Sequence, residues 1–378
     1  MKKIIIAILG FSTFINSKLF ERFNYINEIT LSILLGLIII NFVKTKKLKL
    51  TVDILGYIGI VVIYLLNFFL KGKSLKTTIQ LIIIFILLNF LNNIKLDNKE
   101  RKIMKYFFRS YILINYIFFI SQNSGIELNQ NILGMKATVI ILYFLFIYKN
   151  KEKLWILSSL GLILLSHSRS SLLVVIFVII VIQLLEFFNI KRYKVLFLSF
   201  IGIKWIFIYL YTYVFIKFRI FNELSIKYFN KNFFSGRNKL WETGLEKLQE
   251  NFLGGIGVGF KTSELLNVEL SMHNLDLRIL LEVGLIGYLL FIFYFFLVIR
   301  RLEKLQMNSY KKNIAISIIL GILLQQTFEI SLTQNNLLIG FLQWFMIYIC
   351  FMEKIKVKYR GKNERKNRSS INRIRNIN

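Results

Sequence analysis

The feature that most constrains this chain is a series of apolar runs long enough to cross a lipid bilayer. Residues 54–70 and 195–208 are two of about twelve such runs, most of them joined by short polar connections. A helix crosses the hydrocarbon core with about 20 apolar residues, and in lipid its backbone polar groups must be satisfied within the segment. The runs are continuous, whereas barrel strands alternate. The sequence therefore predicts an all-α, polytopic bundle of transmembrane helices.

Twelve spans are expected. They lie at residues 4–17, 29–43, 54–70, 77–93, 107–121, 133–148, 154–166, 170–187, 195–214, 275–299, 313–331 and 337–352. The first run follows Lys2 and Lys3, as in a signal peptide, but no small-residue cleavage site comes after it. We therefore interpret it as an uncleaved first span.

The basic residues predict the topology. The net charge is +30, which taken alone suggests a nucleic-acid partner. The cations, however, sit mostly in short blocks between apolar runs, such as 44–49 and 95–105, whereas the connections 121–132 and 331–336 contain none. Short cytoplasmic connections are the ones enriched in lysine and arginine. We therefore expect no nucleic-acid partner, and we predict an even number of spans with both termini in the cytoplasm.

The chain is predicted to form a single membrane domain over residues 1–353, followed by a basic, disordered cytoplasmic tail at 354–378 near anionic lipid headgroups. The long segment 217–274 is assigned to the outside. Within it, residues 238–252 have apolar side chains at helical spacing and predict an amphipathic helix along the membrane–water boundary. The glycines at 254–259 predict a tight turn, because a dinucleotide site needs a preceding strand.

Metal and cofactor sites are not expected. Cys350 is the single cysteine and lies in the last apolar run, and no spacing typical of metal ligands is found. The charged residues Asp276, Arg278 and Glu282 begin the span after the long segment. Charge at this depth is costly, so we expect them to face a polar cavity or one another.

Three cations on the same side of the membrane are candidates for function. Arg169 stands in a very short outer turn, Arg237 begins the amphipathic helix, where its charge opposes the helix dipole, and His273 precedes a span. Arg169 is also explained as an interface anchor and His273 as a side chain that extends to the interface, whereas a purely stabilising role for Arg237 is disfavoured by the dipole. Two arginines and a helix start are typical of a diphosphate site.

The motifs around these three residues resemble those of the superfamily of O-antigen ligases and Wzy-type O-antigen polymerases. The resemblance depends on Gly236-Arg237-x3-Trp241 and Gly255-x-Gly257-x-Gly259-Phe260, on His273-Asn274 with Gly284-x-x-Gly287, on Ser168-Arg169-Ser170, and on Asn129-Gln130-Asn131. It implies a metal-independent, inverting glycosyltransferase of the bacterial inner membrane. The donor would be a glycan on undecaprenyl diphosphate, and the acceptor a sugar or lipid A–core.

The resemblance also implies roles for particular residues. Arg169 and Arg237 would hold the diphosphate, and His273 would act on the acceptor hydroxyl, making these three the catalytic residues. Trp241 and Asn274 would bind substrate, and Glu329 would position the acceptor. Membrane lipid is the other expected partner. The resemblance does not decide between a polymerase and a ligase. The alternative function is a transporter or flippase of lipid-linked oligosaccharide, which would predict internal repeats in the sequence.

Overall fold

The architecture of the protein is seen in a computed structural model, which describes residues 1–15, 17–20, 25–45, 50–122, 124–127, 129–263, 272–333 and 337–352. These residues form fourteen α-helices and no strand. The helices are α1 (Lys2–Phe11), α2 (Ile26–Thr45), α3 (Val52–Lys71), α4 (Lys76–Asn93), α5 (Asn98–Gln122), α6 (Gln130–Tyr148), α7 (Lys153–Leu165), α8 (Arg169–Phe187), α9 (Tyr193–Tyr209), α10 (Arg219–Phe229), α11 (Arg237–Gln249), α12 (Leu275–Glu303), α13 (Ser309–Gln325) and α14 (Leu337–Met352).

The prediction of a polytopic helical membrane protein is confirmed. Eight helices are long and apolar enough to cross a membrane: α2 to α6, α8, α9 with its continuation to Lys217, and α12. The remaining four predicted spans coincide with the shorter helices α1, α7, α13 and α14. The inside–outside assignment and the single-domain prediction stay predictions, and the tail at 354–378 lies outside the described residues.

In two of the predicted spans, the helix ends several residues before the predicted end of the span. Helix α1 stops at Phe11, where the hydroxyls of Ser12 and Thr13 donate hydrogen bonds to the carbonyls of Leu9 and Gly10. Helix α13 stops before Gln326, whose side-chain oxygen accepts hydrogen bonds from the backbone N–H groups of residues 331 and 332. In both places a side chain offers the backbone an alternative to the next helical turn.

The interior of the bundle is formed by α6, α13 and α14, whose side chains are nearly all buried. Helix α12 packs against α3, and α8 packs against α13. Helix α2 lies at the periphery, with large apolar residues such as Ile39 and Val43 exposed. Exposed apolar faces of this kind are typical of contact with lipid or with another protein, so they agree with a membrane location.

The buried charges of α12 have specific partners. Arg278 pairs with Glu282 one turn later, with 2.7 Å between Nη2 and Oε1. Asp276 instead pairs with Lys204 of α9, at 2.8 Å between Oδ2 and Nζ, and both side chains are at most 2% exposed. The expectation that these charges face one another is thus met by Arg278 and Glu282, while the partner of Asp276 comes from a different helix.

The predicted amphipathic helix has its apolar face covered by protein, and its placement along the membrane–water boundary stays a prediction. Helix α11 forms as expected, but Leu240, Trp241 and Leu248 on its apolar face are buried by protein, and the helix packs against α12 and the π-helical turn Leu210–Val214. The exposed apolar face belongs to α10, where Ile220 and Ile226 are each about half exposed. Both helices are amphipathic, and only the tertiary contacts decide which apolar face is covered.

Candidate functional site

Four parts of the chain meet at the same end of the bundle, which we call the site end. Helix α8 begins there at Arg169, α6 begins at Gln130, and α12 begins directly after His273 and Asn274. Glu329 lies shortly after the end of α13. Residues 225–237 of the long segment contact this end, so residues far apart in sequence become neighbours.

Arg169 is held by oxygen atoms of the long segment. Its Nη1 donates to Ser225 Oγ at 2.6 Å and to the Asn232 carbonyl at 2.9 Å, and its Nη2 donates to Ser235 Oγ at 3.0 Å. All three acceptors are neutral. Within the described part of the chain Arg169 makes no ion pair, so its positive charge is oriented but not neutralised.

Lys231 adds a second cation beside Arg169. Its Nζ donates to Gln130 Oε1 at 3.3 Å and lies 3.5 Å from the His167 carbonyl. Partial burial, and then the nearby charge of Arg169, lower the pKa of Lys231. The two cations therefore lie close enough to repel each other, and an anion placed between them would relieve that repulsion.

Arg237 is tied to Arg169 through a short strained turn. Ser235, which binds Arg169, and Gly236 both have positive φ, at 48° and 76°, and α11 starts immediately afterwards. The Arg237 guanidinium lies 3.4 Å from Glu329 Oε1. The turn therefore places both arginines on the same side of the site.

Glu329 connects Arg237 to His273. Its Oε2 lies 3.1 Å from His273 Nδ1, and its Oε1 accepts a hydrogen bond of 3.3 Å from Asn131 Nδ2. The carboxylate is buried, whereas the His273 side chain is 34% exposed. A buried carboxylate bonded to one ring nitrogen orients the histidine and fixes which nitrogen carries the proton.

Trp241 and Asn274 hold the backbone on both sides of His273. Trp241 Nε1 donates to the Met272 carbonyl at 3.0 Å, and Asn274 Oδ1 accepts from the Leu277 amide at 3.1 Å, capping α12. Both side chains are fully buried. Their contacts are those of positioning residues, and their predicted contact with substrate stays a prediction. His273 has a positive φ of 46°, so this support also maintains an unfavourable backbone conformation.

The glycine-rich turn fits into a break in α12. Gly284 has φ +67°, and a Cβ placed there would lie 2.2 Å from the Leu253 carbonyl oxygen. The interrupted helix is completed by the turn: Ile256 N donates to the Leu281 carbonyl at 2.7 Å and Leu285 N to the Phe252 carbonyl at 2.9 Å. The turn thus does more than return the chain to the membrane, because it fixes the helix that begins beside His273.

Several residues of the site were not predicted from the sequence. Ser225, Lys231 and Ser235 resemble any polar loop residues, and only contacts over 56 to 66 positions give Ser225 and Ser235 their role toward Arg169. His167 lies beside Lys231 through its carbonyl, and its side chain is exposed. In the described residues there is no group of three His, Cys, Asp or Glu side chains able to hold a metal ion.

The comparison with protein families gives one match. Residues 154–292 match the family model described as O-antigen ligase. The match confirms the resemblance and supports a membrane glycan ligase or polymerase activity in general; it includes Arg169, Arg237 and His273, while Asn131 and Glu329 lie outside it. The comparison with curated proteins found no match.

Proposed function

We propose that this chain, which carries an O-antigen ligase domain at residues 154–292, is a membrane glycosyltransferase that moves a glycan from undecaprenyl diphosphate to a hydroxyl of a sugar acceptor. The product is a surface polysaccharide, and the acceptor is another repeat unit or lipid A–core. The observation that carries the proposal is the continuous set of contacts from Arg169 through Ser235 to Arg237, Glu329 and His273.

The cations of the site suit a diphosphate. Arg237 contacts the carboxylate of Glu329, whereas Arg169 and Lys231 make no ion pair among the described residues, so the described part of the site has an excess of positive charge. The neutral oxygens that hold Arg169 leave its charge available to phosphate oxygens. Negative charge grows on the diphosphate as the glycosidic C–O bond breaks, and fixed guanidinium groups stabilise it without reorganisation. Arginine binds phosphate through two parallel N–H groups, which lysine cannot do.

His273 is proposed to act as the general base. If Nδ1–H donates to Glu329, Nε2 is the unprotonated ring nitrogen, and it is the atom proposed to take the proton of the acceptor hydroxyl. The acceptor oxygen then forms a bond to the anomeric carbon as the bond from that carbon to the diphosphate oxygen breaks. A single displacement inverts the configuration. The charge of the leaving group is balanced by the arginines and Lys231, and no metal ion is assigned to the step.

The proposed location is the bacterial inner membrane, with the site end on its outer face. This follows from the charge pattern of the connections together with the lipid-linked donor. The site residues lie at the ends of spans or in the long segment, which is the depth at which a lipid-linked diphosphate meets water.

The test is complementation of a strain that lacks the gene. Wild-type protein, Arg237→Lys and the matched control Lys239→Ala, an exposed cation on the same helix, are expressed at equal abundance. We expect polysaccharide with the wild type and the control, and its loss with Arg237→Lys. A single repeat unit on the anchor would identify a polymerase, and full chains on undecaprenyl diphosphate a ligase. Unchanged polysaccharide in the deleted strain would contradict the proposal.

A further inference from the structure

A cavity of about 460 Å³ lies at the end of the bundle opposite to the site end. It opens where α8 connects to α9 and where α12 connects to α13. The lining residues are Lys191, Arg192, Tyr193, Lys194, Val195, Glu303, Ser309 and Lys312. Helices α9 and α12 reach from this cavity to the site end, so the two places are separated by the full length of these spans.

The cavity is strongly basic. Four of its lining residues are cations, and Glu303 is its one carboxylate. Glu303 is engaged by the protein: its Oε2 lies 3.6 Å from Lys194 Nζ, and its Oε1 accepts the Lys194 backbone N–H at 3.2 Å. Lys312 Nζ donates to the Glu303 carbonyl at 2.7 Å rather than to its carboxylate. Among the residues that the structure describes, Lys191, Arg192 and Lys312 therefore have no carboxylate partner inside the cavity.

Two helix starts add to this positive potential. Tyr193 is the first residue of α9 and Ser309 the first residue of α13, and both line the cavity. The dipole of each helix start favours negative charge nearby, as the bond from the Lys194 backbone N–H to the Glu303 carboxylate illustrates. The wall of the cavity is held in place by side-chain contacts: Tyr193 is buried, and its hydroxyl donates to Asn313 Oδ1 at 2.8 Å.

The apolar surroundings of the cavity indicate a lipid rather than a soluble anion. Val195, which lines it, is 58% exposed, and Phe187 and Phe188 at the end of α8 are 82% and 62% exposed. Large apolar side chains with this exposure at the end of a span are stable in contact with acyl chains. A ligand with a phosphate and two acyl chains satisfies both the basic lining and its apolar edge.

We propose that this cavity binds the headgroup phosphate of an anionic phospholipid in the leaflet opposite to the glycan site. Basic pockets between the ends of transmembrane helices are suited to such headgroups. Lysine and arginine residues that only set the topology of a span do not need to line a cavity. Lys44 and Lys151 are examples of such exposed cations outside the cavity. Binding at this cavity does not depend on the proposed glycan transfer, since no residue of the site takes part.

The test is native mass spectrometry of the purified full chain in detergent, titrated with phosphatidylglycerol or phosphatidylcholine. Lys191→Ser/Arg192→Ser removes two exposed cations of the cavity, and Lys44→Ser/Lys151→Ser is the matched control outside it. We expect the wild type and the control to retain one phosphatidylglycerol in preference to phosphatidylcholine. The cavity variant should lose about 30-fold in affinity, because each basic residue near an anionic headgroup contributes a factor of about five.

Three results would overturn the proposal. The first is equal retention of the two lipids by the wild type. The second is an equal loss of affinity in the control and the cavity variants, which would make the effect one of overall charge. The third is complete displacement of the lipid by equimolar glycerol phosphate, which would show that a soluble phosphate is the ligand. The thermal stability of both variants, measured without added lipid, should match that of the wild type.

Discussion

Arg169 and Arg301 are two arginines at opposite ends of the bundle, and their surroundings differ in one respect. Arg301 Nη1 lies 2.9 Å and 3.2 Å from the two oxygens of Asp53, which is fully buried and also accepts a hydrogen bond from Tyr348. Its other amino group bonds to Asn92. Arg169 is held just as firmly, but only by neutral oxygens.

The comparison separates a structural arginine from one suited to a ligand. A buried carboxylate requires a countercharge, and Arg301 supplies it, so that pair ties α3 to α12 and leaves no charge for another partner. Arg169 is oriented by hydrogen bonds to neutral oxygens, which do not neutralise its charge. A diphosphate can therefore still gain the full electrostatic interaction with Arg169, in a geometry that already exists.

The largest effect is expected at His273. His273→Ala should reduce glycan transfer about 10²–10⁴-fold, which is the usual contribution of a general base. Protein abundance should not change, because the ring is one-third exposed and Glu329 keeps Arg237 as its ion-pair partner. Transfer is measured in membranes with matched protein levels, with His167→Ala as the control that should be milder. Near-normal transfer by His273→Ala, or failure only because the protein disappears, would make His273 a structural residue.

The next largest effects are expected at Arg169 and Arg301, and they differ in kind. Arg169→Lys should lose most of its transfer activity at normal thermal stability, since the charge is kept but the two-pronged geometry is lost. Arg301→Ala should do the reverse: it leaves Asp53 buried without a countercharge, at a cost of about 3–5 kcal/mol in unfolding free energy. Melting temperature and transfer are measured on the same preparations. Equal loss of stability in both variants would remove the distinction.

The sequence predicted the helices well because their cause is local. A continuous apolar run such as 54–70 has few alternatives to a helix in lipid, and α3 forms there. The end of α13 was less predictable, since it depends on Gln326 contacting residues five and six positions further on. The covering of the α11 apolar face was not predictable either, because hydrophobic periodicity states that a face is buried but not by what.

The sequence named residues that the structure brings together, but not the contacts between them. Arg169, Arg237, His273 and Glu329 were all candidates from the sequence, and their roles stay predictions. The contact between Glu329 and His273 joins positions 56 apart, and no spacing rule encodes such a contact. Lys231 was missed for the same reason: its neighbours Gln130 and His167 come from distant parts of the chain.

A smaller effect is expected at Trp241, and it distinguishes positioning from substrate contact. Trp241→Phe keeps the aromatic packing and removes the hydrogen bond to the Met272 carbonyl. One such bond is worth about 1 kcal/mol, so transfer should fall about fivefold, through kcat and with KM unchanged. Kinetics with a titrated acceptor check this. A change confined to KM would show that Trp241 contacts the substrate.

The smallest effect is a pH dependence that involves Lys231. Its pKa is lowered by burial and by Arg169, so its charge is lost at a lower pH than that of an exposed lysine. Affinity for the lipid-linked donor should therefore weaken as the pH rises through this lowered pKa. The fall should be at most about fivefold, because partly exposed ion pairs contribute about 1 kcal/mol or less. Lys231→Met should bind more weakly at neutral pH and lose this alkaline fall, whereas an unaltered profile would exclude Lys231 from donor binding.

The most direct test of the central claim, that the unneutralised cations of the site end hold a diphosphate, is the equilibrium binding of undecaprenyl diphosphate against undecaprenyl monophosphate. The purified wild-type protein, Arg169→Lys, and the control Lys239→Ala are compared in the same detergent. We predict that the wild type and the control bind the diphosphate at least about tenfold more tightly than the monophosphate, since an added charge-assisted hydrogen bond is worth about 1.5–3 kcal/mol. Arg169→Lys should lose most of that preference. A preference that is fully retained in Arg169→Lys, or absent from the wild type, would contradict the claim.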